Sequence, residues 1–177
     1  MKSLRRYNLK NTFYFLTLVT QNREKLLLKE PDLFWNCWSG IDFKAWVILP
    51  DHFHVIMYVA DYDLSQIIHQ FKIKYSKIYR QRYRPGRIWQ NRFWDHIIRN
   101  QTDMNRHIDY IHYNPVKHGL TNDPFTYEYS SLKEWYKNGF YQRDWGCKEE
   151  LIFEGQYGEC DTTDFCLEYN IVSSDAG

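Results

Sequence analysis

Cysteine and proline are scarce in this chain, which has four cysteines and five prolines among 177 residues. The cysteines are Cys37, Cys147, Cys160 and Cys166, so no C-x-x-C pair is present. Their density is also far below that of a small disulfide-stapled domain. We therefore expect reduced thiols and a fold that is held together by an ordinary hydrophobic core.

Long apolar segments are also lacking. The apolar run in residues 12–20, TFYFLTLVT, is interrupted by threonines and is too short to span a membrane. The basic residues before it do not combine with it into a secretion signal. From the sequence we expect a cytoplasmic protein, beside the nucleoid, with no membrane partner.

Acidic residues are rare in most of the chain and concentrated at its end. Residues 1–140 hold 21 Lys and Arg against 13 Asp and Glu, whereas residues 141–177 hold 2 against 9. The net charge of +1 is therefore a cancellation. We predict one catalytic domain over 1–140 and a partly ordered acidic tail over 141–177. The tail either keeps the protein soluble or competes with a polyanion for a basic groove.

Residue periodicity predicts an α+β fold. Apolar, β-branched and aromatic runs predict strands over residues 12–20, 43–49, 52–59 and 88–99. Helical spacing, caps and breakers predict helices from Pro31, over 64–82, over 102–113, and from Ser130 or Ser131. This order favours a ferredoxin-like antiparallel sheet with helices packed on one face.

The predicted strand that begins DHFH carries two histidines, His52 and His54. Residues two apart on a strand point to the same side, so the two imidazoles stand next to each other. Such a pair can bind one cation, although a bare His-x-His is more often an ordinary polar or core pair. A metal site would need a third ligand.

The predicted helix over 102–113 offers that ligand. Tyr110 and Asn114 are four residues apart and so share a helix face. If this helix lies across the histidine strand, the Asn114 oxygen can complete the metal site and Tyr110 can face whatever the metal holds. Asn114 could instead cap the helix before Pro115, and Tyr113 is a rival to Tyr110. His107 and His112 are candidate general bases.

A basic and aromatic segment follows the histidine strand. Between residues 72 and 99 the chain has nine Lys or Arg and a single acid, Asp95. We predict contacts to DNA phosphates from Lys72, Lys74, Lys77, Arg80, Arg82, Arg84 and Arg87. We predict contacts to bases from Trp89, Arg92 and Trp94. The alternative is a solvated helix face.

Three segments together resemble the HUH single-tyrosine transposases. They are the LPDHFH segment at 49–54, the YIHYNPV segment at 110–116 and the Tyr-x-x-Ser-Ser pattern at 127–131. The second segment is similar to the REP-associated branch of that family. Insertion-sequence relatives carry Gln, rather than Asn114, four residues after the nucleophile.

The resemblance implies an HUH nuclease fold and a single-stranded DNA nickase and strand transferase acting beside palindromic REP hairpins. His52, His54 and Asn114 would hold Mg²⁺ or Mn²⁺, and Tyr110 would form a 5′-phosphotyrosine intermediate. Insertion-sequence relatives are usually dimers, whereas the REP-associated pattern favours a monomer. A noncatalytic hairpin-binding module and a metal-dependent hydrolase that uses water are the alternative functions.

Overall fold

Four strands and four α-helices form the part of the chain described by the computed structural model, residues 9–38, 40–148 and 150–159. The strands are β1 (Thr12–Val19), β2 (Phe43–Ile48), β3 (His52–Val59) and β4 (Trp94–Ile97). The helices are α1 (Pro31–Cys37), α2 (Leu64–Arg82), α3 (Gln101–Lys117) and α4 (Leu132–Lys137). None of these helices is both long and apolar enough to cross a membrane.

The strands form one antiparallel sheet in the order β2-β3-β1-β4. In the centre of the sheet, Thr17 of β1 pairs with His54 of β3, and Val19 pairs with His52. This order and this pairing are those of a ferredoxin-like sheet. The predicted α+β class is therefore confirmed.

Helices α1 and α2 connect the strands across one face of the sheet and bury it with aromatic rings. The Phe53 ring of β3 lies 4.8 Å from the Phe34 ring and 5.6 Å from the Phe71 ring, between centroids. Trp38 stacks on Phe71 at 4.1 Å. Much of the aromatic content therefore fills this core.

Helices α3 and α4 cover the opposite face, so helices lie on both faces and not on one as predicted. Phe15 and Ile56 point to this side and pack with Ile108 of α3. The backbone N–H of Ser131, just before α4, donates to the Trp46 carbonyl of β2 at 3.0 Å. Because both faces are covered, β1 and β3 are buried along nearly their whole length.

Helix α3 extends beyond the predicted range at both ends. Its N-cap is Asn100, whose side chain accepts a hydrogen bond from the Asp103 N–H at 2.9 Å. Pro115 lies inside the last turn and does not end the helix. Pro115 has no N–H to donate to the Ile111 carbonyl, so that hydrogen bond is absent, but Pro115 is buried in the packed helix. The helix therefore continues to Lys117.

The predicted strand over 88–99 is mostly irregular. Its regular part is Trp94–Ile97, and Trp89 makes an isolated bridge to Thr20. Trp89 is 4% exposed and packs 5.8 Å from Phe53, between ring centroids. Its aromatic character reflects core packing.

The described chain after α4 forms no further helix or strand. Tyr157 nevertheless stacks on Tyr110 with 3.6 Å between ring centroids, so part of the predicted acidic tail packs against α3. The rest of that tail, residues 160–177 with Cys160 and Cys166, lies outside the described residues.

Candidate active site

His52 and His54 lie together at the start of β3, on the face that α3 covers, with 5.0 Å between ring centroids. The Nδ1 atom of His52 lies 2.6 Å from Asp51 Oδ1, and that of His54 lies 2.8 Å from Thr17 Oγ1. Because these contacts hold both Nδ1 atoms, the two Nε2 atoms remain to face α3. The predicted placement of the two imidazoles on one face is therefore observed.

The two histidines differ in proton affinity. Burial lowers the pKa of His54 to about 4, so its imidazole is neutral near pH 7. Burial also acts against the charged form of His52, but the Asp51 and Glu159 carboxylates outweigh it and raise the His52 pKa. Thr17 donates its hydroxyl proton to the Tyr157 carbonyl at 2.5 Å, so it accepts from His54 Nδ1. This tautomer leaves the His54 Nε2 lone pair available for a cation.

Asn114 is buried on α3 opposite the imidazoles. Its Nδ2 donates to Glu159 Oε1 at 2.8 Å, while its Oδ1 is buried without a hydrogen-bond partner among the described residues. The oxygen and nitrogen of an amide can exchange places by a flip of the side chain. Asn114 is inside the helix, and the C-cap is His118, so the capping alternative does not describe its role.

Tyr110 reaches the same point from one turn earlier on α3. Its ring lies 5.3 Å from the His54 ring, and its hydroxyl donates to Glu159 Oε1. Lys117 Nζ donates to the Tyr110 oxygen at 2.8 Å. Burial raises the pKa of Tyr110 above its ordinary value, and the negative charge of Glu159 raises it further.

The rival nucleophile and the two candidate bases are directed elsewhere. Tyr113 packs its ring against Phe153 and Trp145. His107 Nδ1 donates to the Asp103 carbonyl at 2.8 Å. His112 is held between Ser131 Oγ at 2.8 Å and the Tyr141 hydroxyl at 2.9 Å. Within the described part of the chain, neither histidine makes a hydrogen bond to the Tyr110 oxygen.

Glu159 is the site residue that sequence reasoning missed. One of its carboxylate oxygens lies 2.8 Å from His54 Nε2, and the second contacts Lys117 and, at 3.2 Å, His118. Burial would raise the pKa of Glu159, but the nearby imidazoles of His118, His52 and His54 outweigh burial and lower the pKa. The acidic composition of the tail was the only signal for this residue.

The backbone that brings Glu159 into the site depends on a glycine. Gly158 has φ of +74°, and a Cβ atom placed on it would lie 2.2 Å from Trp94 Cβ. Only glycine has the conformation and the small size for this approach. Arg23 donates to the Glu159 backbone carbonyl on the other side. The end of the described tail is therefore fitted closely to the site.

The residues at this point fit a divalent cation. His52, His54 and Glu159 offer ligand atoms that lie within 4.8 Å of one another. His52 Nε2 and Asn114 Oδ1 are buried with no hydrogen-bond partner among the described residues. Unpartnered buried nitrogen and oxygen atoms are costly unless they bind an ion or water. Two imidazoles, an amide and a carboxylate form a suitable ligand set.

A second group, His96, Asp103 and His107, also has the composition of a metal site. Its two imidazoles stack with 4.5 Å between centroids and 17° between planes. Stacked rings direct their in-plane lone pairs side by side and not toward one ion. His96 Nε2 and Asp103 Oδ2 are instead 2.9 Å apart, a contact that ties β4 to α3.

The basic segment lies at the same end of the sheet as the imidazoles. The Gln90 N–H donates to the Val19 carbonyl at 3.0 Å, and Val19 pairs with His52. Several of the residues predicted to contact DNA make interactions within the chain instead. Lys72, Lys74 and Arg80 donate hydrogen bonds to backbone carbonyls. Arg82 forms an ion pair with Glu30, and Arg84 forms one with Glu24.

The remaining predicted DNA contacts divide into exposed and buried residues. Lys77, Arg87 and Arg92 are exposed. Trp94 is half-buried against Gly158, and Trp89 belongs to the core. Burial removes Trp89 from the surface on which a base could stack.

Comparisons with known proteins agree with this geometry. Residues 8–114 match the family model described as "Transposase IS200 like". The REP-associated tyrosine transposase of Escherichia coli K12 is 30% identical over 182 residues, covering 98% of this chain and all of that protein. A Haemophilus influenzae protein named for the same activity is 34% identical over 177 residues, covering 88% of this chain and 99% of the relative.

A solved structure is also similar. It is a REP-associated tyrosine transposase bound to a REP hairpin, with a TM-score of 0.78 and 29% identity. The match covers 90% of this chain and 98% of that one. Together with the paired histidines and the tyrosine helix, these matches identify the family. The chain belongs to the IS200-like transposases and, within them, to the REP-associated tyrosine transposases.

Proposed function

We propose that this protein nicks and rejoins single-stranded DNA beside REP-type hairpins by transferring the strand to Tyr110. One observation carries the proposal. The Tyr110 hydroxyl, His54 Nε2 and the Asn114 amide all meet the same atom, Oε1 of Glu159. The proposed nucleophile and two of the proposed metal ligands therefore converge on one position, where the anionic carboxylate stands in for a cation-bound scissile phosphate.

A divalent cation would be held by Nε2 of His52 and His54 and by the side-chain oxygen of Asn114. When bound, it supplies Lewis-acid polarisation of the scissile phosphate. Imidazole and amide ligands are softer than the oxygen-only sets that Mg²⁺ prefers. We therefore expect Mn²⁺ to bind at least as well as Mg²⁺.

Tyr110 supplies the nucleophile. Its phenol loses a proton to water, its oxygen bonds to phosphorus, and the bond from phosphorus to the 3′-oxygen breaks. The 3′-oxygen takes up a proton, which leaves a 3′-OH and a 5′-phosphotyrosine. Attack of a 3′-OH on that linkage reverses the exchange and rejoins DNA. Because one phosphoester replaces another, no ATP is needed.

One chain supplies both halves of the site. The Tyr110 ring lies 5.3 Å from the His54 ring of the same chain. This distance favours a monomer that acts in cis. A homodimer that exchanges α3 between subunits is the alternative, and sedimentation of the protein with and without DNA distinguishes the two.

The hairpin would bind beside this site along the basic segment. A similar solved protein is bound to a REP hairpin. Lys77, Arg87 and Arg92 are exposed near the end of the sheet that carries His52, and we assign them to phosphate contacts. Because we propose that the substrate is chromosomal DNA, we expect the protein to act in the cytoplasm, at the nucleoid.

The tail would act as a competitor tethered to its own active site. The Glu159 side chain is 11% exposed and occupies the position that we assign to the phosphate. A tethered carboxylate has a high effective concentration at the site and must leave before DNA enters. A merely solubilising tail would not require this buried position.

Formation of a covalent adduct tests the proposal. Wild type, Tyr110→Phe and the matched control Tyr113→Phe are incubated with a labelled hairpin oligonucleotide and Mn²⁺, then denatured and separated on a gel. We expect a protein–DNA adduct with wild type and Tyr113→Phe and none with Tyr110→Phe, which should still bind the hairpin.

The same gel separates the alternatives. A noncatalytic hairpin binder gives neither adduct nor cut DNA. A hydrolase that uses water cuts the DNA and leaves a free 5′-phosphate without an adduct. Either result with folded wild-type protein that binds the hairpin would overturn the strand-transfer mechanism.

A further inference from the structure

The proposed strand-transfer reaction gives no role to Lys117, although its charged side chain contacts the nucleophile, Tyr110. Its Nζ donates to the Tyr110 oxygen at 2.8 Å and lies 4.7 Å from the centroid of the Tyr110 ring. Lys117 is in the last turn of α3, two turns after Tyr110, and reaches back along the helix. It also pairs with Glu159.

We propose that Lys117 is a catalytic residue whose ammonium group stabilises negative charge on the Tyr110 oxygen. The inference rests on the proposed function, because it assigns this charge to the phenol that carries the DNA. It gives Lys117 a role in both directions of the reaction. The lysine stabilises the charge on the Tyr110 oxygen as that oxygen attacks phosphorus, and it stabilises the departing phenolate during rejoining.

The geometry supports an electrostatic role. A distance of 2.8 Å is that of a charge-assisted hydrogen bond from N⁺–H to oxygen. Tyr110 is 1% exposed, and its burial strengthens the effect of a nearby charge, whereas the Lys117 side chain is 41% exposed and its charge is partly screened by water. The Glu159 carboxylate, which accepts from the Tyr110 hydroxyl, is an anion and would repel negative charge on that oxygen. Lys117 therefore supplies the opposite charge.

The proton balance does not require Lys117 to exchange a proton. In cleavage, the phenol proton goes to water, the bond from the Tyr110 oxygen to phosphorus forms, and the bond from phosphorus to the 3′-oxygen breaks. In rejoining, the 3′-OH gives its proton to water, its oxygen bonds to phosphorus, the bond from phosphorus to the Tyr110 oxygen breaks, and the phenolate takes up a proton from water. Lys117 keeps its protons throughout, so arginine can replace part of its effect.

The pairing of Lys117 with Glu159 must be separated from catalysis. We therefore place the variants in a Glu159→Gln background, in which that ion pair is absent. The set comprises Lys117→Met, Lys117→Arg and, on the exposed surface of α4, the matched control Lys133→Met. For each variant, hairpin affinity, the single-turnover rate of adduct formation and the rate of rejoining from purified adduct are measured with Mn²⁺.

We expect Lys117→Met to slow both adduct formation and rejoining by about 100-fold at saturating hairpin, as loss of one charge-stabilising donor does. Lys117→Arg should recover part of the rate, and Lys133→Met should match the background. A Lys117→Met rate equal to the background, or a defect confined to affinity, overturns the inference while leaving Tyr110 as nucleophile. An adduct that persists in Tyr110→Phe overturns the proposed function and this inference together.

Discussion

The two faces of the sheet use the same strands for different purposes. On the side of α1 and α2, Phe53 of β3 is enclosed by the aromatic rings of Phe34 and Phe71. On the side of α3, its neighbours His52 and His54 meet polar groups whose hydrogen bonds converge on one carboxylate. A strand alternates between the two environments with every residue.

The comparison shows that burial alone does not define the site. Phe53 and His54 are both fully buried, and both lie on a central strand. They differ in what surrounds them, because one face is closed by apolar contacts and the other by α3 with its polar residues. The apolar face stabilises the fold, and this stability holds costly polar groups together on the opposite face.

The largest expected effect contrasts these two neighbours. We expect Phe53→Ala to lower the free energy of unfolding by about 3 to 5 kcal/mol, because it leaves a cavity in an aromatic core. We expect His54→Ala to remain folded but to weaken Mn²⁺ binding by at least about 100-fold, because a ligand is lost. Urea denaturation and calorimetric titration of Mn²⁺ measure the two effects. If His54→Ala bound Mn²⁺ like wild type, the metal assignment would be wrong.

Removal of the tail carboxylate should have the next largest effect. Glu159→Gln keeps the shape but loses the charge, so we expect adduct formation to rise by about tenfold as the tethered competitor weakens. Gly158→Ala should have a similar effect because its Cβ collides with Trp94. The measurement is the initial rate of adduct formation at subsaturating hairpin. A lower rate in both variants would indicate that Glu159 assists the reaction.

Charge removal on the basic segment should change DNA affinity more modestly. The triple variant Lys77→Gln, Arg87→Gln, Arg92→Gln should bind the hairpin more weakly, with a salt dependence whose slope falls by about 2 to 3. A double variant on α4, Lys133→Gln with Lys137→Gln, is the control. Fluorescence anisotropy at several salt concentrations measures both. The assignment fails if the triple variant and the control have the same slope.

The smallest expected effect, over the measured range from about pH 7 to about pH 5, is a dependence of stability on pH that arises at His112, whose ring contacts Ser131 and Tyr141. Burial lowers the pKa of His112 to about 3 from an ordinary value of 6.5. As the pH falls below 6.5, the unfolded chain binds a proton that folded His112 does not. Stability that is present above pH 6.5 is therefore lost toward pH 3, by up to about 1.4 kcal/mol per pH unit.

The variant His112→Gln isolates this contribution. It should reduce the loss of stability between about pH 7 and about pH 5, measured by urea denaturation at each pH. Other titrating groups are shared with wild type, so the difference in slope reports on His112. An unchanged slope would mean that the buried imidazole is not neutral in the folded protein.

The sequence predicted those parts of the site that follow regular periods. Alternation on a strand placed His52 beside His54, and a helical spacing of four placed Tyr110 with Asn114. Both patterns act over a few residues, so they survive any error in the overall packing. The antiparallel sheet followed in the same way from the order of the elements.

The parts that the sequence did not predict depend on long-range packing. Glu159 reaches the site through irregular chain, and its contact with His54 joins residues 105 positions apart. The composition of the basic segment does not show which of its residues are buried. Trp89, which lies in the core, was therefore grouped with the exposed Arg87 among the predicted DNA contacts. The helix stop expected at Pro115 neglected tertiary packing, because Pro115 is buried inside a helix that continues to Lys117.

The most direct test of the central claim is to map where DNA becomes attached. Wild-type protein is incubated with Mn²⁺ and a hairpin labelled on the 3′ side of the nick, then digested with protease, and the labelled peptide is identified by mass spectrometry. We expect a single modified residue, Tyr110, linked to a 5′-phosphate. A label on Tyr113 or another residue, or cut DNA without labelled peptide, would contradict the claim that Tyr110 and the two histidines act on one phosphate.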